Sequence, residues 1–331
     1  MNIKAKSLIL LSLLLTTAGS TFAQPTNALI KPWSATVMVV GEDGVPIGGA
    51  NVAVAYVLPP YSFSDDHQYN ARIVGVTDTN GLFFATHNDR TGGVGFSINK
   101  EGYYETRGSR TLRDPEENAN DRDITLTLVL KKIVNPIPMY AKWQRSEPSI
   151  FKKYGRPPIA FTNTVGYDLM AGDWVAPYGK GANADIFITE EFNKKSITDY
   201  YYKLTISFPN ADDGIQEFTV PDAERGSALR SPHEAPADGY QPQLVRENFH
   251  HPSQAGESDY DENRNYCFRV RTILDSNGNV KSALYGKIYG DPEQMNFRYY
   301  LNPTPNDRNV EFDPKQDLLG GLESFEQVST P

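Results

Sequence analysis

Asp259, Asp261 and Glu262 crowd into the stretch Glu257-Ser258-Asp259-Tyr260-Asp261-Glu262-Asn263-Arg264. Hard oxygen ligands at that density could hold a calcium ion. The stretch has neither the glycine nor the downstream bidentate acid of an EF-hand loop, so a solvated acidic loop is the plainer expectation. Asp275-Ser276-Asn277-Gly278-Asn279 imitates the start of such a loop, but Asn-Gly between two strands is first of all a hairpin turn. His250 and His251 are sequential, and in an extended chain they point in different directions. Gly95-Phe96-Ser97-Ile98-Asn99 lacks the second glycine of a nucleophile elbow. Gly92-Gly93-Val94-Gly95 has no helix after it to form a phosphate loop. The single cysteine, Cys267, sits in a strand-like run with no activating base nearby and reads as a small core hydrophobe. The stronger pointers are aromatic. Trp143, Trp174, Tyr178 and Tyr240 lie near proline and glycine, where a flat ring can stack on a sugar or anchor a protein partner. The alternative use of such rings is core packing. Asp173-Trp174-Val175-Ala176-Pro177-Tyr178-Gly179-Lys180-Gly181 is the first stretch to inspect.

These groups must be positioned by strands. Ile124, Leu126, Leu128 and Leu130 alternate with Thr125, Thr127 and Val129. Tyr200, Tyr202, Leu204, Ile206 and Phe208 alternate with Tyr201, Lys203, Thr205 and Ser207, and Val280, Ser282, Leu284, Gly286 and Ile288 with Lys281, Ala283, Tyr285 and Lys287. A period of two is the strand signature, and a one-residue slip would bury the polar set. One short helical turn is expected around Glu147 to Tyr154. The fold class is therefore all-β. Regular strand spacing from Trp33 to Lys132 predicts one sandwich, and Val134-Asn135-Pro136-Ile137-Pro138 marks a stiff boundary. A second, mostly β domain is expected over 139–314, with an irregular middle at 209–264 and a flexible tail at 315–331.

The 331 residues carry 32 basic and 41 acidic side chains, a formal charge of −9. That balance excludes general binding to nucleic acid, and one cysteine excludes an intrachain disulfide. Lys4 and Lys6, the apolar run Leu8 to Leu15 and the small-residue exit to Ala23 have the three parts of a secretory signal peptide over residues 1–23. The run is too short to cross a hydrocarbon core of ~30 Å. An acidic chain, secreted or periplasmic and without a membrane span after signal removal, is expected.

Within the first half, Gly41-Glu42-Asp43-Gly44-Val45-Pro46-Ile47-Gly48-Gly49-Ala50-Asn51-Val52 reads as strand end, turn and proline-led strand start. Thr77-Asp78-Thr79-Asn80-Gly81-Leu82-Phe83 reads as a tight hairpin, and Gly95 to Tyr104 as a strand closed by Lys-x-Gly-Tyr-Tyr. This succession resembles the carboxypeptidase regulatory-like domain, a transthyretin-like Greek-key sandwich also similar to collagen-adhesin B-type repeats. The resemblance covers about 100 of the 331 residues and departs from the family in an insertion, Pro59 to His67. It implies an accessory, non-catalytic module of seven strands. The expectations are then a non-enzymatic β-sandwich protein for protein or glycan contact at the cell envelope, with no cofactor and no resident metal. The alternatives are a carbohydrate-active hydrolase using a carboxylate pair in the second domain, and a structural envelope component.

Overall fold

The computed structural model describes residues 32–57, 70–88, 91–111, 122–145, 152, 163–261, 263–293 and 295–331. The signal-like segment, the 59–67 insertion, Glu262, and all of the expected helical turn except Lys152 lie outside the described residues.

The chain is all-β, as alternation requires. Its first seven strands are β1 (Trp33–Val40), β2 (Asn51–Val57), β3 (Asn70–Val76), β4 (Leu82–His87), β5 (Gly93–Asn99), β6 (Thr106–Thr111) and β7 (Asp123–Val129). They form one sheet ordered β4-β1-β7 and a second ordered β3-β2-β5-β6. β1 pairs with β7 in parallel and with β4 antiparallel. Alternate residues Ala35, Val37 and Val39 meet Val52, Val54, Tyr56, Ile98, Ile124 and Leu128 in a closed apolar core. Thr77 to Phe83 is indeed a tight turn: Gly81 has φ of 73° and Asp78 accepts from the amides of Asn80 and Leu82. It is not a hairpin. β3 belongs to one sheet and β4 to the other, so the turn carries the chain across the sandwich. Turn chemistry fixes the reversal and leaves the pairing partner open.

The remaining strands are β8 (Ile137–Gln144), β9 (Val165–Asp168), β10 (Asp173–Trp174), β11 (Ile186–Ser196), β12 (Asp199–Ser207), β13 (Gly214–Phe218), β14 (Gln243–His251), β15 (Gln254–Ser258), β16 (Asn265–Leu274), β17 (Val280–Glu293), β18 (Asn296–Leu301) and β19 (Phe312–Asp317). They build two six-stranded sheets, β10-β9-β11-β12-β14-β15 and β13-β16-β17-β18-β8-β19. Tyr202, Leu204 and Ile206 of β12 face Tyr266, Phe268 and Val270 of β16, together with Leu284, Ile288, Phe297 and Tyr299, across one core.

The sheet carrying β17 is covered on its other face too. Alternation predicts a solvent side for Lys281, Ala283, Tyr285 and Lys287, yet Ala283 and Lys287 are fully buried and Tyr285 nearly so. Ser231, Ala235 and Val310, from segments without regular strand structure, lie over them. Part of the irregular 209–264 stretch is thus a lid on a sheet, and part is strand, β13 to β15.

Residues 315–331 differ from the expected flexible tail. Val328 is buried with Met139, Ala141, Tyr289, Tyr300 and Phe312. The Trp143 amide donates to the Glu326 carbonyl at 2.8 Å, and Lys142 Nζ pairs with the Glu326 carboxylate at 2.9 Å. Leu318, Leu319, Leu322, Phe325 and Val328 do not alternate as a strand would, which is why the sequence hides this docking.

Candidate ligand-binding groove

β17 and β18 pair antiparallel, with a register shift between Tyr289 and Glu293 near the end of the hairpin. There Tyr289, Gly290, Asp291 and Glu293 face Asn296, Phe297 and Arg298 around a hollow of about 450 Å3, closed by Trp143 of β8, Arg230, Tyr260 and Asn263. The β8–β18 register puts Trp143 directly opposite Arg298. The Arg298 guanidinium carbon lies 4.6 Å from the centroid of the Trp143 ring, and that of Arg145 lies 3.8 Å from it. A guanidinium over an indole is held by the ring quadrupole while its N–H edge stays available.

The charge arrangement is the distinctive part. Arg246, Arg264, Arg271 and Arg308 all hold carboxylates. Among the described residues, Arg230 and Arg298 have no ion-pair partner and donate no side-chain hydrogen bond, and Arg298 Nε is buried without an acceptor. The fully buried Asp291 carboxylate does not neutralise them. It accepts from Tyr266 Oη, from Arg246 Nε at 3.2 Å, from Arg264 Nη1 at 3.0 Å and from the Asp261 amide at 2.7 Å. Burial works against the charge of both arginines, yet Arg246 is held above its ordinary range by Tyr266 and Asp291, and Arg264 chiefly by Asp291. Asp291 therefore stiffens the hairpin, and Glu293 is left as the carboxylate lining the groove. Arg298 Nε is closed to solvent, so an incoming carboxylate, sulfate or phosphate would meet the Nη edge of the guanidinium, which is open to it.

The residues singled out from sequence do not converge. Of the four aromatics, Trp143 alone lines the groove, where guanidinium groups lie over its ring and leave it no role as a bare sugar platform. Trp174 is 1% exposed and meets Tyr167 edge-on at 5.0 Å, so it is core and not a contact surface. The loop around it is shaped by carboxylates: Asp168 accepts from the amides of Met170, Ala171, Ala182 and Asn183, and Asp173 from those of Trp174 and Lys180. Tyr178 is half-buried against the same core and its hydroxyl accepts from Asn163. Tyr240 packs beside Cys267 and Tyr285 and donates to the Pro236 carbonyl at 2.7 Å.

In the acidic loop the described carboxylates have partners of their own. Asp259 pairs with Arg264 at 3.2 Å, Asp261 accepts from the amide and side chain of Asn263, and Glu262 lies outside the described residues. Asp275 accepts from the Asn277 and Asn279 amides, as a hairpin turn requires. Among the described residues no group of three or more His, Cys, Asp or Glu could hold a metal ion. His250 and His251 go separate ways, to the Thr198 carbonyl and to Ser253 Oγ. Cys267 is fully buried, and burial pushes its thiol up to about 12.

The sequence contains the groove's arginines but no reason to pick them. An unpaired arginine is defined by partners it lacks in space, and no spacing encodes that.

The chain matches none of the protein-family profiles and none of the curated proteins with which it was compared. Solved structures similar to it include 3-chlorocatechol 1,2-dioxygenase from Rhodococcus opacus 1CP, at 16% identity over 30% of this chain and 59% of that one, TM-score 0.24. Catechol 1,2-dioxygenase from Acinetobacter radioresistens is similar at 19% identity over 32% of this chain and 54% of that one, TM-score 0.23. A streptococcal ancillary pilin is similar at 12% identity over 87% of this chain and 62% of that one, TM-score 0.24. The chain spans between half and two thirds of the length of each. The expectation of a non-enzymatic chain is corrected here. The solved structures similar to it include enzymes. Scores this low carry no activity across to this chain. No helix of the described residues is long and apolar enough to cross a membrane.

Proposed function

We propose that the chain is an exported β-sandwich protein that recognises the anionic group of a partner through the groove of Arg230 and Arg298. The observation that carries this reading is a pair of arginines without acidic partners, facing one hollow, in a protein of net charge −9. In such a protein an unneutralised positive site is selective, because the surrounding acidic surface repels anions that do not reach it.

In this reading residues 1–23 are a signal peptide removed after Ala23, and the mature protein is secreted or periplasmic. Residues 33–132 are a spacer or contact domain of the carboxypeptidase regulatory-like kind. Residues 139–314 form the recognition domain, with 315–331 packed on it. The partner is a glycan or a protein outside the cytoplasm.

The test is a titration of the full-length chain with glucuronate and, as the uncharged control, glucose. Glucuronate should bind and glucose should not. Arg298→Ala and Arg230→Ala should each weaken glucuronate binding about tenfold, the value of one charge-assisted hydrogen bond. Equal binding of both sugars, or no effect of either substitution, would remove the basis of the reading. Export is tested separately, by the N-terminal sequence of protein recovered from the medium or the periplasm.

A further inference from the structure

A second hollow of about 240 Å3 adjoins the groove and shares Glu293 with it. Its other walls are Phe192 and Lys194 of β11, Ile197 in the turn, Tyr200 and Tyr202 of β12, and Asn248 of β14. Phe192 is 42% exposed and Ile197 80%, so the apolar surface here is offered to solvent. Tyr202 turns its hydroxyl inward to Glu190 at 2.7 Å, which leaves its ring as wall. Tyr200 is bonded to Asn248 and stacked with His250, so its ring is held in place.

The two ends differ in chemistry. At one end stand two guanidinium groups without acids. At the other stand the exposed Phe192 ring, the half-buried Tyr200 ring and an aliphatic side chain, with an amide and an ammonium at the edge. Between them is Glu293, an acceptor of hydroxyl hydrogens and a repeller of anions. A ligand charged along its whole length would set one of its charges against Glu293. A ligand with no charge would leave the arginines unsatisfied. Apolar rings beside a carboxylate and an amide match the two sides of a pyranose, whose C–H face is apolar and whose rim is hydroxyl.

We propose that the two hollows form one site for an oligosaccharide in which an acidic sugar adjoins a neutral one. The acidic residue sits at Arg230 and Arg298, and the neutral residue lies on Phe192 and Tyr200 with its hydroxyls on Glu293 and Asn248. This assignment rests on the anion-groove reading and extends it by a class of ligand.

The experiment titrates the full-length chain with four probes. They are a hyaluronan tetrasaccharide (acidic and neutral sugars alternating), tetragalacturonate (all acidic), chitotetraose (all neutral) and tetraglutamate. The hyaluronan fragment should bind at least about tenfold more tightly than the other three. Phe192→Ala, at an exposed position, should remove most of that advantage and leave binding of monomeric glucuronate unchanged. Arg298→Ala should weaken both. Tetragalacturonate or tetraglutamate binding as well as the hyaluronan fragment, a silent Phe192→Ala, or no hyaluronan binding at about 1 mM would each overturn the proposal. If Phe192→Ala is silent while Arg298→Ala still weakens glucuronate, the anion groove stands and the extension falls. If Arg298→Ala and Arg230→Ala are both silent, the groove itself falls.

Discussion

Trp174 and Trp143 show how one residue type serves two ends. Trp174 is enclosed by Tyr167 and Phe297. Truncation to alanine should cost about 3–5 kcal/mol, the range for a large buried aromatic, measured as a lowered urea midpoint. Trp143 is half-buried, and its substitution by alanine should be gentler on stability. It should nevertheless weaken glucuronate binding, because Arg298 would lose the ring beneath it. An equal loss of stability at both positions would contradict this division. Cys267 gives a third residue-scale check. With its thiol buried and pushed up to about 12, iodoacetamide at mildly alkaline pH should label it only after denaturant is added. Rapid labelling of the native chain would show that the outer layer over β16 opens.

At the scale of elements, turns and lids matter more than strand lengths. Gly81 has a left-handed backbone, and a Cβ there would lie 2.4 Å from the Val39 carbonyl oxygen. Gly81→Ala should therefore cost about 1–3 kcal/mol, measured by thermal unfolding. Gly44 has a similar φ of 75° but open space around its Cβ position, so Gly44→Ala should cost less. If the two substitutions cost the same, backbone strain alone would explain both, and the close approach at the sheet-to-sheet turn would be irrelevant. β17 teaches a different lesson. Its register follows from alternation, and Leu284 and Ile288 do face the inner core. Lys281 and Lys287 mark the opposite side as solvated in the sequence, yet Lys287 donates to Ser231 and Tyr289 inside a covered layer. Burial drives its ammonium well below the ordinary lysine range. Periodicity reports which residues share a face. It does not report what a distant loop lays over that face.

At the scale of the molecule, the first sandwich is bound to the C-terminal half of the chain by backbone bonds from Arg107 to Gly226 and from Ala228 to Glu105, and by a buried carboxylate. Glu311 accepts from Tyr104 of the first sandwich at 2.6 Å, from the amides of Val134 and Asn135 in the connection, and lies 3.2 Å from His233. His233 reaches Glu42 on its other side, and Lys131 pairs with Glu224 at 2.7 Å. Burial would raise the Glu311 carboxyl, but these hydrogen bonds outweigh it and hold the group below its ordinary 4.5. The stabilisation is therefore complete above 4.5 and is lost as pH falls through the lower folded value. Glu311→Gln should cost about 1.5–3 kcal/mol at neutral pH, and the gap to the unsubstituted chain should close in acid. A gap independent of pH, followed by thermal melts from neutral to acidic buffer, would show that the charge of Glu311 is not what joins the parts. The order of residues was enough to establish the all-β class, the registers of β7, β12 and β17, and the turn at Gly81. Those are local, because alternation and positive φ are properties of a few adjacent residues. Only the folded arrangement makes Trp174 core, docks 315–331, and brings Arg230 and Arg298 to one hollow with no ion-pair partner for either among the described residues. Each of these depends on which groups from far along the chain arrive, or fail to arrive, within hydrogen-bonding distance.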